Sequence, residues 1–171
     1  MIIRCETLFD YEKIAEINNF AFGQVNEAQL IEEIRRSNRY IPELSLLAEV
    51  DGEVVGHILF SYIDLIMESI QEILPVLSLA PVAVLPKFQK QGIGRALIQA
   101  GLEKADKMGE IMVMVLGSPL FYSRFGFVCS VVYGVECPFE VPADFFMVKV
   151  LRNYQPGYKG RVVYPLAFLE V

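Results

Sequence analysis

Tryptophan is absent from this 171-residue chain, histidine occurs once and cysteine three times. Cys5, Cys129 and Cys137 are odd in number and form no C-x-x-C pair, so neither a disulfide framework nor a zinc site is indicated. They read as small buried hydrophobes. Long apolar runs are missing too. The longest uncharged stretch, Ile73 to Pro86, falls short of the roughly 20 residues a spanning helix needs and is broken by Pro75, Pro81 and Pro86. The N-terminus, Met1-Ile2-Ile3-Arg4-Cys5 followed by Glu6 and Asp10, lacks the apolar core and small-residue cleavage site of a signal peptide, so a cytoplasmic location is expected. Positive charge is scarce: 15 Lys and Arg stand against 21 Asp and Glu, a net charge of −6. No window gathers a basic cluster, which excludes the usual footprint of a nucleic-acid partner.

What is present is apolar. Hydrophobic residues make up 54% and charged residues 21%, far from the signature of disorder. No repeat, low-complexity tract or linker divides the chain, so residues 1–171 are expected to form a single domain. The mean hydropathy of +0.41 exceeds what one core of this size needs. It points to a homodimer whose interface uses C-terminal residues such as Phe145, Phe146 and Phe168.

Periodicity supplies the elements. A short strand at Ile2 to Cys5 precedes Asp10, a candidate N-cap, and a helix with Ile14, Ile17 and Phe20 on one face. A second helix covers Glu27 to Arg36, with Leu30, Ile31 and Ile34 as its apolar stripe. Ser45 to Val50 and Glu53 to Tyr62 flank Asp51-Gly52, the dipeptide of a type I′ hairpin turn. A third strand, Val76 to Val84, leads to a helix from Gly92 to about Met108, and the apolar run Ile111 to Leu116 suits a buried strand. Strand, helix and strand together predict a crossover. A short helix at Pro119 to Arg124 and β-rich segments at Phe127 to Val135 and Phe145 to Leu151 complete a mixed sheet flanked by helices.

The informative chemistry lies in Gln89-Lys90-Gln91-Gly92-Ile93-Gly94-Arg95, between the third strand and its helix. Residues that open a helix carry N–H groups without an intrahelical partner, and glycines at 92 and 94 let a diphosphate approach them. Lys90 and Arg95 add positive charge. A Gly-rich turn that merely leads into a helix reads the same way. Nucleotide-binding alternatives fail on their own terms: no Gly-Lys-Ser/Thr follows, and Leu97 stands where a dinucleotide fingerprint needs its third glycine.

Gln89, Gly92 and Gly94 match the signature of the GNAT acetyltransferases, which is Gln or Arg, two residues, Gly, one residue, then Gly or Ala. The sequence resembles that family beyond the loop. Leu79 to Pro86 looks like its preceding strand, Phe121-Tyr122-Ser123-Arg124-Phe125-Gly126-Phe127 like its second conserved block, and the tail from Phe145 to Pro165 is similar to a bacterial branch of predicted small-molecule N-acetyltransferases. The resemblance implies an α/β (α+β) fold with a mixed, mostly antiparallel sheet whose central strands splay. It implies acetyl-CoA as cosubstrate, a primary amine as acceptor and no metal. Gln89, Lys90, Gln91, Gly92, Ile93, Gly94 and Arg95 would hold the cofactor's phosphates, and the backbone of Val82, Ala83 and Val84 its pantetheine arm. The amine would attack the thioester directly, with the oxyanion held by the N–H of Ala83 or Val84. Tyr122 would protonate the departing thiolate, although Phe121, Phe125 and Phe127 are equally core partners for a buried ring.

His57, the one histidine, follows Gly56 within a strand, where a hydrogen-bonded structural role is commoner than catalysis. Glu27 is a candidate on the acceptor side that its spacing does not separate from a surface glutamate. The general base is left unassigned. The asparagine many relatives carry after the buried strand is not evident in Val115-Leu116-Gly117-Ser118-Pro119, a segment read instead as a turn. Small-molecule amine acetylation ranks ahead of protein or peptide acetylation, and both ahead of acyl-CoA binding without catalysis.

Overall fold

The structure, a computed structural model, describes residues 1–170. Its contacts gather into two compact units: Met1–Ser61, Leu79–Ala105 and residues 166–170 form the first, and Tyr62–Ser78 with Asp106–Pro165 the second.

The first unit begins with β1 (Ile2–Cys5), antiparallel to β2 (Tyr40–Val50) from Ile2↔Glu49 to Cys5↔Leu46. The strands β2 and β3 (Glu53–Met67) meet in the expected two-residue hairpin. Asp51 and Gly52 both take positive φ, 51° and 80°, as a type I′ turn requires. Two helices, α1 (Tyr11–Phe22) and α2 (Asn26–Arg35), cover this sheet, with Ile14, Leu30, Ile31 and Ile34 packed on Leu47 and Leu59 in one cluster. Burying such side chains contributes about 1.5–3 kcal/mol each, the main reason helices as short as these hold.

Two expectations for α1 need correction. Asp10 stands at the N-cap position, but its carboxylate turns back to accept from the Thr7 N–H at 2.7 Å and from the Arg4 guanidinium at 2.8 and 2.9 Å. Phe20 is 62% exposed, and the third buried position on the inner face is Asn18.

The end of β4 (Glu72–Val84) and most of α3 (Ile93–Lys107) complete the first unit. Of the residues its helical spacing singles out, Ile93, Leu97, Gly101 and Ala105 are buried, whereas Ala100 is half-buried and Met108 exposed; Ile98 and Leu102 are buried as well. Gly101 allows the helix to sit on β3, because a Cβ there would lie 2.2 Å from the Phe60 ring.

In the second unit β4 pairs in parallel with β5 (Met112–Leu116) at Leu77↔Val113 and Ser78↔Met114, the predicted crossover, and both strands continue past those pairs. Next to β5 runs β8 (Phe146–Val150), antiparallel, followed by β6 (Val128–Cys129). The remaining strands, β7 (Val135–Glu136) and β9 (Gly160–Val163), pair with each other, and β9 also pairs antiparallel with β3. Antiparallel pairings dominate, as expected. The short helix α4 (Pro119–Tyr122) continues into a 3₁₀ turn, Ser123–Phe125.

The region Phe127 to Val135 is corrected: it holds a two-residue strand and a 3₁₀ turn, Ser130–Tyr133, in place of one β segment. All three cysteines are free and half-buried, not buried. Of the aromatics expected at a subunit interface, Phe146 is fully buried within the chain and Phe168 packs on the α2 cluster, leaving Phe145 at 40% exposure. No helix among the described residues is long and apolar enough to cross a membrane.

Candidate active site

The loop between β4 and α3 is built from the sequence outward. Pro86 cannot extend the strand, and Pro86–Phe88 form a 3₁₀ turn. Gln89 then folds back so that its Nε2 donates to the Val84 carbonyl at 3.0 Å, and Gln91 Nε2 donates to the Lys87 carbonyl at 3.2 Å. Both glutamine side chains therefore brace the loop. Lys90 and Gly92 take left-handed φ, 61° and 84°. This conformation costs a lysine on the order of 1 kcal/mol or more and a glycine almost nothing.

The first backbone bond of α3 runs from the Ala96 N–H to the Gly92 carbonyl at 3.0 Å. The N–H groups of Ile93, Gly94 and Arg95 precede it and lack intrahelical acceptors. A Cβ on Gly92 would meet nothing within 4 Å, and one on Gly94 only the Val84 Cγ2 at 3.7 Å. A side chain at Gly92 would thus enter open space, beside the positive end of the dipole of a 15-residue helix. Lys90 and Arg95 are exposed and ion-paired to no carboxylate among the described residues, whereas Lys87 lies 3.6 Å from Glu53.

On the strand side, Ala83 is buried and Val82 and Val84 are half-buried. The Leu85 N–H donates to the Val55 carbonyl at 2.9 Å, and a Cβ on neighbouring Gly56 would press on Leu97 at 3.0 Å and Ile93 at 3.1 Å. Val82 to Val84 and Gln89 to Arg95, singled out in the sequence, thus lie together in the first unit. Ile93 is the exception in kind: its side chain is core, and only its N–H faces the loop's task.

Tyr122 belongs to the second unit. Its ring meets Phe121 edge-on at 5.0 Å and Phe127 at 5.7 Å between centroids. Burial raises its pKa, so the phenol keeps its proton at neutral pH. Its hydroxyl makes no hydrogen bond with any described residue.

His57 is fully buried. Asn18 Nδ2 faces its Nδ1 at 3.5 Å and Ser45 Oγ its Nε2 at 3.0 Å, an arrangement that assigns the ring proton to Nε2. Beside it, Arg35 donates to the Glu6 carboxylate at 2.8 and 3.0 Å, and Tyr40 also donates to Glu6. The Arg35 guanidinium stacks on the Tyr11 ring at 3.7 Å. Burial alone would raise the Glu6 pKa, but hydrogen bonds from Arg35, Tyr40 and Ser45 outweigh it and hold the group ionised. Burial, with the Arg35 charge, pushes His57 down to about 4 against the pull of Glu6. A neutral, enclosed imidazole is structural, as its strand position implied.

This network was missed in the sequence. The available signal was Asn18, a polar residue four positions after Ile14 on a face otherwise apolar. Glu27 is half-buried and accepts from Gln24 at 2.9 Å, an i,i+3 surface pair. No group of three or more His, Cys, Asp or Glu that could hold a metal occurs among the described residues.

A family model described as the acetyltransferase (GNAT) family matches residues 11–127. The chain belongs to that family. It is similar to the uncharacterized N-acetyltransferase YhbS of Escherichia coli strain K12, with 32% identity over 96% of both chains. With YjhQ of the same strain it shares 37% over 79% of this chain and 74% of the relative. Among solved structures, Escherichia coli YhbS in complex with CoA superposes with a TM-score of 0.87 at 30% identity, over 98% of this chain and 91% of that one. A GNAT family acetyltransferase from Brucella melitensis in complex with acetyl-CoA gives 0.77 at 29% identity, over 98% and 97%.

Proposed function

We propose that the chain works as one cytoplasmic domain that transfers the acetyl group of acetyl-CoA to a primary amine of a small molecule by direct attack in a ternary complex. The observation that carries this reading is the α3 entry: three N–H groups without intrahelical acceptors beside a side-chain-free Gly92, flanked by the exposed cations Lys90 and Arg95. The CoA and acetyl-CoA complexes of the two similar structures support it.

Acetyl-CoA supplies the activated thioester. In this scheme Gly92 to Arg95 bind the diphosphate through backbone donors, while Lys90 and Arg95 add charge. The backbone of Val82 to Val84 orients the pantetheine arm, and the N–H of Ala83 or Val84 holds the developing oxyanion. Tyr122, kept protonated by burial, gives its proton to the leaving thiolate.

A thiol-release assay across polyamines, aminoglycosides, amino acids and short peptides tests the acceptor class. Turnover on small amines is the expected result. Turnover confined to peptides would replace the small-molecule reading with protein acetylation, and acetyl-CoA binding with no turnover on any acceptor would leave a binding module.

A further inference from the structure

We infer that Gly117 is a positioning residue for Tyr122, its missing side chain being the seat of the tyrosine ring; the inference rests on the proposed role of Tyr122 as proton donor. A Cβ built on Gly117 would lie 2.3 Å from Tyr122 Cε2 and 2.9 Å from Cδ2, distances no real methyl group tolerates. The backbone does not demand glycine there, since Gly117 is not among the residues with positive φ. The demand comes from the ring alone.

Neither partner can yield by sliding. The Gly117 N–H donates to the Phe145 carbonyl at 2.9 Å, which fixes the end of β5, and the Tyr122 N–H donates to the Ser118 carbonyl at 3.0 Å. On its other sides the ring meets Phe121, Phe125 and Phe127, of which Phe125 and Phe127 are buried. An added methyl group therefore tilts the ring, and the phenol oxygen at its far end moves most. Because that hydroxyl has no hydrogen bond to a described residue, packing on Gly117 and the phenylalanines is what sets its place. Gly117 thus serves to seat an aromatic ring, with no positive φ of its own to require glycine.

The test combines Gly117→Ala with 3-fluorotyrosine incorporated at position 122. The ¹⁹F resonance of the label is expected to shift in Gly117→Ala, kcat to fall about tenfold, and the KM for acetyl-CoA to stay within about twofold. In a Tyr122→Phe background, Gly117→Ala should cost no further kcat, because the hydroxyl it misplaces is already gone. An unmoved ¹⁹F resonance, an unchanged kcat, or fully additive losses would each overturn the inference. A shifted resonance together with full activity in Tyr122→Phe would instead defeat the proposed role of Tyr122. Should Gly117→Ala fold poorly, thermal unfolding of Gly117→Ala/Tyr122→Ala decides: removing the ring should abolish the penalty of the methyl group, and an equal penalty in both backgrounds contradicts the contact.

Discussion

A histidine with Asn18 against one ring nitrogen and Ser45 against the other has no face left for a substrate, so the consequence of His57 is in stability. Its pKa is lowered from 6.5 to about 4. Below about pH 6.5 the unfolded chain gains a proton that the folded chain refuses, so stability falls as pH drops through that window toward 4. Between pH 7 and 5 the loss should be on the order of 2 kcal/mol. Glu6 and Asp10, whose carboxyls are held below their ordinary values, add their own losses only once pH falls below about 4.5. Urea unfolding at the two pH values should therefore show the slope in the wild type and not in His57→Gln; equal slopes would refute the assignment. For Tyr122, replacement by Phe should lower kcat about 10²-fold and leave acetyl-CoA affinity unchanged, as read by single-turnover kinetics and titration. Unaltered kcat with chemistry rate-limiting would remove the hydroxyl from the reaction.

Among the elements, α3 matters most, because its N-terminus is the proposed phosphate site and its seat on β3 sets where that end lies. Two glycines make the seat: Gly56 under Ile93 and Leu97, and Gly101 over Phe60. Gly56→Ala should destabilise the protein by about 1–3 kcal/mol and weaken acetyl-CoA binding, since the methyl group pushes the first turn of α3. Thermal melts and titration check this, and a weakened melt with unchanged affinity would separate the seat from the site. The loop and this helix were legible because local rules govern them: positive φ at Gly92, a proline stop at Pro86, and helical spacing from Ile93 onward. The full lengths of β3 and β4 were not. They run on to Met67 and from Glu72, joined by a turn with Gln71 at a φ of 53° and no Gly or Pro to announce it. The C-terminal strands also escaped, because pieces as short as Val128–Cys129 exist only through pairing with Phe146–Val150, which no local pattern encodes.

For the molecule as a whole, composition left the polar interior unseen. Glu6, Arg35, Tyr40, Ser45, His57 and Asn18 come from five elements or their flanks, and only folding brings them together. The acceptor amine was illegible for a related reason: the side chains that select it obey no general code. The family, in contrast, was legible from one loop and one aromatic block, because diphosphate binding constrains backbone geometry at fixed spacing. The central claim is that the β4–α3 loop binds acetyl-CoA. Calorimetric titration of wild type and Gly92→Glu, each checked for a native circular dichroism spectrum, tests it most directly. The account predicts saturable acetyl-CoA binding by the wild type and a loss of at least about 10²-fold in the variant, where a carboxylate replaces open space at a φ of 84°. Undiminished affinity in a folded Gly92→Glu would contradict it.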